Sequence, residues 1–112
     1  MNYYHIWADV KQHCKPDMFV SKMQLFLDQL VSMNKMHDYK ITRMKLGFRS
    51  MDLPEFHIVM EFKTMQDLDD AMTNILENKD DVDVAHVNFN QYVDQETIQH
   101  ALYRDYPDVK HD

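Results

Sequence analysis

Residues 56–62 carry a large apolar side chain at every second position. Phe56, Ile58, Met60 and Phe62 interleave with His57, Val59 and Glu61, the period-two pattern of a half-buried strand. Asn2 to Lys11 also reads as a strand, because Tyr3, Tyr4, Ile6, Trp7 and Val10 suit a pleated surface. The period then changes. Lys15-Pro16-Asp17 opens a helix, with proline tolerated in the first turn, and Phe19, Met23, Phe26, Leu27 and Leu30 form one apolar stripe. A second strand is expected over Tyr39 to Arg49, with Met44, Leu46 and Phe48 inward, followed by a turn at Ser50 to Pro54. Thr64 suits an N-cap with Asp67 three residues on, and Leu68, Ala71, Met72 and Ile75 give a second helical stripe. After the polar run Glu77 to Asp81, Ala85 to Val93 reads as the fourth strand. A short helix from Glu96 to about Arg104, stopped by Pro107, ends the pattern.

Strand, helix, strand, strand, helix, strand and a terminal helix make the split βαβ, or ferredoxin-like, arrangement. Right-handed crossovers give a four-stranded antiparallel sheet of order 4-1-3-2 with both main helices on one face. The fold class expected is α+β, in one domain over residues 1–112: a chain of 112 residues builds one core, not two.

Strand parity sorts the other face. Tyr3, His5, Trp7 and Asp9 fall there from the first strand, and His57 and Glu61 from the third. Arg43 and Lys45 come from the second strand, where Ile41 breaks parity and implies a bulge. From the fourth come His86, Asn90 and Tyr92, while Val87, Phe89 and Val93 point inward. A solvated face seldom carries a tryptophan and two tyrosines among histidines. A face closed by a second copy of itself does. Such a homodimer encloses a cavity with apolar walls and a few placed polar groups, the character of a ligand pocket; a plain dimer interface without ligand is the competing reading.

Antiparallel register sets His5 near Glu61 and Asn90, and Asp9 near His57 and His86. His5 and Glu61 are therefore the candidate general base, since a carboxylate orients an imidazole and raises its pKa. Asp9, His57 and His86 have the composition of a two-histidine, one-carboxylate metal site, but no local ligand motif supports them and no metal is expected.

Composition narrows the classes. One glycine, Gly47, excludes a P-loop or a dinucleotide fingerprint, so no cofactor is expected. A net charge of -7 argues against nucleic acid and anionic membranes. No run of about 18 apolar residues offers a membrane span, the first residues lack a signal-peptide pattern, and the single Cys14 fits a reducing cytoplasm. Cys14 has no identifiable partner base and reads as structural. The 10 methionines read mostly as core filling, and the acidic run Glu77 to Asp83 lacks calcium-loop spacing.

Several segments in fixed order resemble an uncharacterised bacterial family of about this length. They are Tyr4-His5-Ile6-Trp7, Thr42-Arg43 with Lys45-Leu46-Gly47, Glu55-Phe56-His57-Ile58, His86 with Asn90, and Ala101-Leu102-Tyr103-Arg104-Asp105. Ala8 and the stretch Arg49 to Pro54 depart from its pattern. That family is similar to the dimeric α/β-barrel superfamily, which pairs ferredoxin-like subunits face to face. Its members include cofactor-independent monooxygenases, haem-degrading enzymes, isomerases and stress-responsive proteins. The resemblance points to His5, Trp7, Arg43, Lys45, His57, His86, Asn90, Tyr103 and Arg104 as site residues, and implies fold and dimer rather than reaction.

The expectation is a homodimer that binds a small aromatic or anionic molecule. Trp7 and the tyrosines would stack on it, Arg43 and Lys45 would grip an anion, and His5 would take a proton if a monooxygenase or isomerase reaction occurs. A non-catalytic binding or stress-response module is the alternative. An RNA-binding ferredoxin-like domain is disfavoured by the acidic charge and the missing basic aromatic signature.

Overall fold

The computed structural model describes residues 1–77 and 91–107. The elements are β1 (Asn2–Val10), α1 (Pro16–Ser32), β2 (Asp38–Arg43), β3 (Phe56–Phe62), α2 (Met65–Glu77) and β4 (Val93–Arg104). The four strands form one sheet of order β2-β3-β1-β4, every neighbouring pair antiparallel. This is the expected 4-1-3-2 order read from the other edge.

The helical stripe of α1 is buried as its spacing requires: Phe19, Met23, Phe26, Leu27 and Leu30 all lie in the core. Pro16 starts the helix, and Asn34 at φ 58 ends it. The Asn34 N–H reaches the Val31 carbonyl (3.1 Å) and the Lys35 N–H reaches that of Leu30 (2.9 Å), a Schellman arrangement that satisfies the last carbonyls. Thr64 caps α2, its Oγ1 accepting the Asp67 N–H at 3.1 Å. On β3 the side chains alternate buried and half-buried along the whole strand. Phe56, Ile58, Met60 and Phe62 join Ala8, Leu68, Ala71, Val93 and the α1 stripe in one core, with Tyr4, Ile6, Val10, Tyr39 and Ile41 packed against it. The helices thus cover the face carrying the even positions of β1 and β3.

Two expected elements are corrected. The second strand ends at Arg43 rather than Arg49, and Ile41 needs no bulge because it pairs in register with Ile58. Leu46 and Phe48, expected inward, are 95% and 79% exposed. They belong to the connection to β3, where the Lys45 carbonyl accepts the Phe48 N–H across a turn with Gly47 at φ +81. That backbone conformation favours glycine and ends the strand. The helix expected over Glu96 to Arg104 is instead most of β4, laddered to β1 from Asn2↔Arg104 to Val10↔Val93. Its residues have fair helix propensity, but the unpaired edge of β1 offers a full row of backbone partners, and pairing outweighs propensity. The segment expected to be that strand, Ala85 to Val93, lies outside the described residues except for its last three positions. So do His86, Asn90 and most of the acidic run.

Candidate functional site

The open face carries the odd positions of β1. Tyr3, His5 and Trp7 stand opposite Glu61, Val59 and His57 of β3, and opposite Tyr103, Ala101 and Gln99 of β4. Lys40 and Thr42 of β2 continue the same rows at Val59 and His57. Parity therefore placed Tyr3, His5, Trp7, His57 and Glu61 correctly, while the neighbour relations differ. The register is shifted by two residues from the expected one, which preserves the face but changes every partner. Tyr3, not His5, lies opposite Glu61.

His5 finds a different partner. Its Nδ1 lies 2.9 Å from Nε2 of His57. The two ring planes are 14° apart with centroids separated by 5.1 Å, roughly the N···N distance plus the two ring radii. The imidazoles therefore meet edge to edge, one N–H directed at the other ring's lone pair, in a nearly straight hydrogen bond. The Trp7 indole lies parallel to both, 3° and 4.7 Å from His57 and 16° and 5.7 Å from His5. Tyr103 meets His5 edge-on at 4.8 Å. Thr42 Oγ1 donates to the His57 carbonyl at 3.3 Å.

Burial pushes the His5 pKa down from its ordinary 6.5, where a carboxylate partner would have raised it. His57 is also lowered, first by burial and then by repulsion from a charged His5. The pair is thus held neutral at pH 7, with one outer nitrogen carrying a lone pair and the other a proton. It can take a proton and spread the charge over two rings, which is general-base chemistry.

Asp9 sits one open-face position beyond Trp7. Its Oδ1 accepts the Glu55 N–H at 2.7 Å, and its own N–H donates to Thr97 Oγ1 at 2.9 Å. The Asp9 Oδ1 is thus engaged within the chain, and among the described residues, which do not include His86, no group of three or more His, Cys, Asp and Glu side chains could hold a metal ion. Arg43 is corrected as well: it takes the helix-side parity opposite Phe56. Its Nε lies 2.6 Å from Glu55 Oε2, and its guanidinium stands 5.5 Å from the centre of the Phe56 ring. Lys45 is exposed in the turn. Tyr92, expected on the open face, packs against the core. Cys14 is half-buried in the turn before α1.

The connection from β2 to β3, residues 44–55, read in the sequence as the end of a strand and a turn, is one long arm. It joins neighbouring strands, yet it reaches across the sheet. Met44 N–H donates to the Glu55 carbonyl (2.7 Å) at its base, Asp9 of β1 holds its end, and the Gln99 amide of β4 donates to the Asp52 carbonyl at 3.5 Å. Beneath this arch lies a cleft of about 1020 Å³, lined among others by Asp9, Arg49, Asp52, Glu96, Thr97 and Gln99. A second cavity, about 320 Å³, lies on the other side of the sheet, lined by core side chains such as Met23, Phe26 and Met60 and at its edge by the exposed Ile98. It brings no titratable cluster together.

The C-terminal segment Ala101 to Asp105 packs against its own chain: Tyr103 joins the open face, and Asp105 accepts the Tyr3 hydroxyl at 2.6 Å. No described helix is long and apolar enough to cross a membrane.

Residues 1–112 match the family of unknown function DUF6614. No curated protein matches the chain. Among solved structures, a dimeric ferredoxin-like protein of unknown function from Jannaschia sp. CCS1 is similar with a TM-score of 0.71 at 10% identity, over 93% of this chain and 98% of that one. The Arabidopsis thaliana protein At3g17210 gives 0.72 at 9% identity, over 98% and 100%. SnoaB, a cofactor-independent oxygenase from Streptomyces nogalater, gives 0.66 at 11%, over 96% and 94%. At these identities the likeness establishes the ferredoxin-like fold alone.

Proposed function

We propose that this chain, which belongs to the DUF6614 family of unknown function, forms a homodimer whose open sheet faces enclose a chamber for a small aromatic molecule. In it, the His5–His57 pair acts as a general base for cofactor-independent oxygenation or isomerisation. The observation that carries this reading is the straight 2.9 Å bond between two half-buried imidazoles beneath a parallel indole. A flat ring slides naturally onto the Trp7 surface, and stacked aromatic pairs contribute about 1 kcal/mol beyond the area they bury. Pairing of two copies is supported by the description of similar ferredoxin-like structures as dimeric.

The chemistry needs no bound group. The pair removes a proton from an acidic C–H or O–H of the substrate. In an oxygenation, the resulting carbanion or phenolate gives its electrons to dioxygen, so that a methylene becomes a carbonyl and the second oxygen atom leaves as water. In an isomerisation the same proton returns to another atom. The description of SnoaB as a cofactor-independent oxygenase supports the first course for a chamber of this fold.

Oxygen uptake with anthrone, a tricyclic ketone with an acidic methylene, tests the reading alongside a native mass spectrum. The expected outcome is a dimer with measurable turnover, lowered by about 100-fold or more in His5→Gln and His57→Gln. Turnover in both variants as fast as in the unaltered protein would remove the pair from the mechanism. A dimer that binds aromatics without turnover would make the protein a binding module, and a monomer would end the shared-chamber reading.

A further inference from the structure

We propose that the cleft beneath the 44–55 arch is the end of the chamber that receives a neutral or cationic polar substituent of the aromatic substrate, and that it turns anionic substrates away. This rests on the chamber reading above and narrows its substrate class.

Position comes first. Gln99 stands opposite Trp7 in the sheet, and Asp9 is the next open-face residue beyond it. The cleft that both line is therefore the direct continuation of the stacking surface. A ring lying on the part of the indole that His57 leaves uncovered would have the His5–His57 pair at one edge and the arch at another. The volume, about 1020 Å³, accommodates a drug-sized group with room left for water.

Charge comes second. The cleft lining holds four carboxylates, Asp9, Asp52, Glu55 and Glu96, against two guanidiniums, Arg43 and Arg49. Both guanidiniums are already engaged. Arg43 pairs with Glu55 at 2.6 Å, and Arg49 donates to the Leu53 carbonyl within the arch. Each guanidinium keeps further N–H donors, but the charge of Arg43 is offset by Glu55, and the lining as a whole holds two more carboxylates than guanidiniums. Asp9, Asp52 and Glu96 line the cleft with no cation paired to them among these residues, in a chain whose net charge is already -7. Like charges in a partly enclosed cleft repel an incoming carboxylate, whereas a hydroxyl or ammonium group can donate to them. The grip on an anion that Arg43 and Lys45 suggest in the sequence is thus replaced by its opposite.

The test uses three probes that share a hydroxynaphthalene ring and differ in one substituent: hydroxymethyl, aminomethyl or carboxylate. Binding is read by quenching of Trp7, the single tryptophan. The hydroxymethyl and aminomethyl probes are expected to bind at least tenfold more tightly than the carboxylate. In the double variant Asp52→Asn, Glu96→Gln that ratio should shrink several-fold, while Asp69→Asn on exposed α2, which removes one charge from the opposite side, leaves it unchanged. A carboxylate probe that binds as well as the others, or an Asp69→Asn effect equal to that of the cleft variant, overturns the inference and leaves the chamber standing. Failure of all three probes to quench Trp7 overturns the chamber reading, and this inference with it.

Discussion

The Trp7 indole and the His57 imidazole lie parallel within 3°, their centroids 4.7 Å apart. A protonated imidazole quenches indole fluorescence at such contact, and a neutral one does so far less. Trp7 therefore reports the charge on its neighbour. Because burial and the nearby His5 both lower the His57 pKa, the fluorescence of the ligand-free protein should fall on acidification with a midpoint below 6.5. His57→Gln should abolish the step, and a midpoint above 6.5 would contradict the assigned environment.

The same shifts bear on stability. Both imidazoles have folded pKa values below the unfolded 6.5, so the unfolded chain binds more protons between the two values. Their contribution is fully present above pH 6.5 and declines as the pH falls from there through the folded values. Guanidinium midpoints measured from pH 7.5 downward should drop in this window. The double variant His5→Gln, His57→Gln should show a flatter profile there; carboxylates, which titrate lower, account for any remaining acid loss.

Leu27 is fully buried, whereas Leu46 is 95% exposed. Leu27→Ala should cost about 3 kcal/mol, the transfer loss plus a cavity. Leu46→Ala should stay within about 0.5 kcal/mol in guanidinium unfolding. Comparable losses would return Leu46 to the core position that its sequence context suggests.

Thr64 accepts the Asp67 N–H at the start of α2. Thr64→Ala should destabilise the protein by about 1 kcal/mol, and Thr64→Asp should restore most of that, as expected for a cap rather than for a packing contact. Thermal unfolding of the three proteins side by side distinguishes the two.

Where the sequence carried a clean period, the structure was legible in it. The α1 stripe and the β3 alternation depend on contacts their own residues make with the core. The end of β2 was not, because Leu46 and Phe48 continue an apolar alternation that the turn at Gly47 interrupts. Nor was β4: its run from Glu96 to Arg104 has fair helix propensity, and only the vacant edge of β1 makes it a strand. The site was half legible. Parity alone brought His5, Trp7 and His57 to one face, since parity is a property of each strand. Pairing His5 with His57 instead of Glu61 is a property of two strands together, fixed by register that no local pattern states. The arch over the cleft depends on tertiary anchors at Asp9 and Gln99 and leaves no periodic trace.

The pleat of β1 writes two messages in alternate letters. Tyr4, Ile6 and Ala8 face the helices, and the residues between them face the open side of the sheet. Substitutions at the open-face letters leave the others undisturbed, so the surface of this sheet and its core can change independently. A library randomised only at His5, Trp7 and His57 should consequently yield mostly folded proteins with altered ligands, which makes this sheet a natural scaffold for directed evolution.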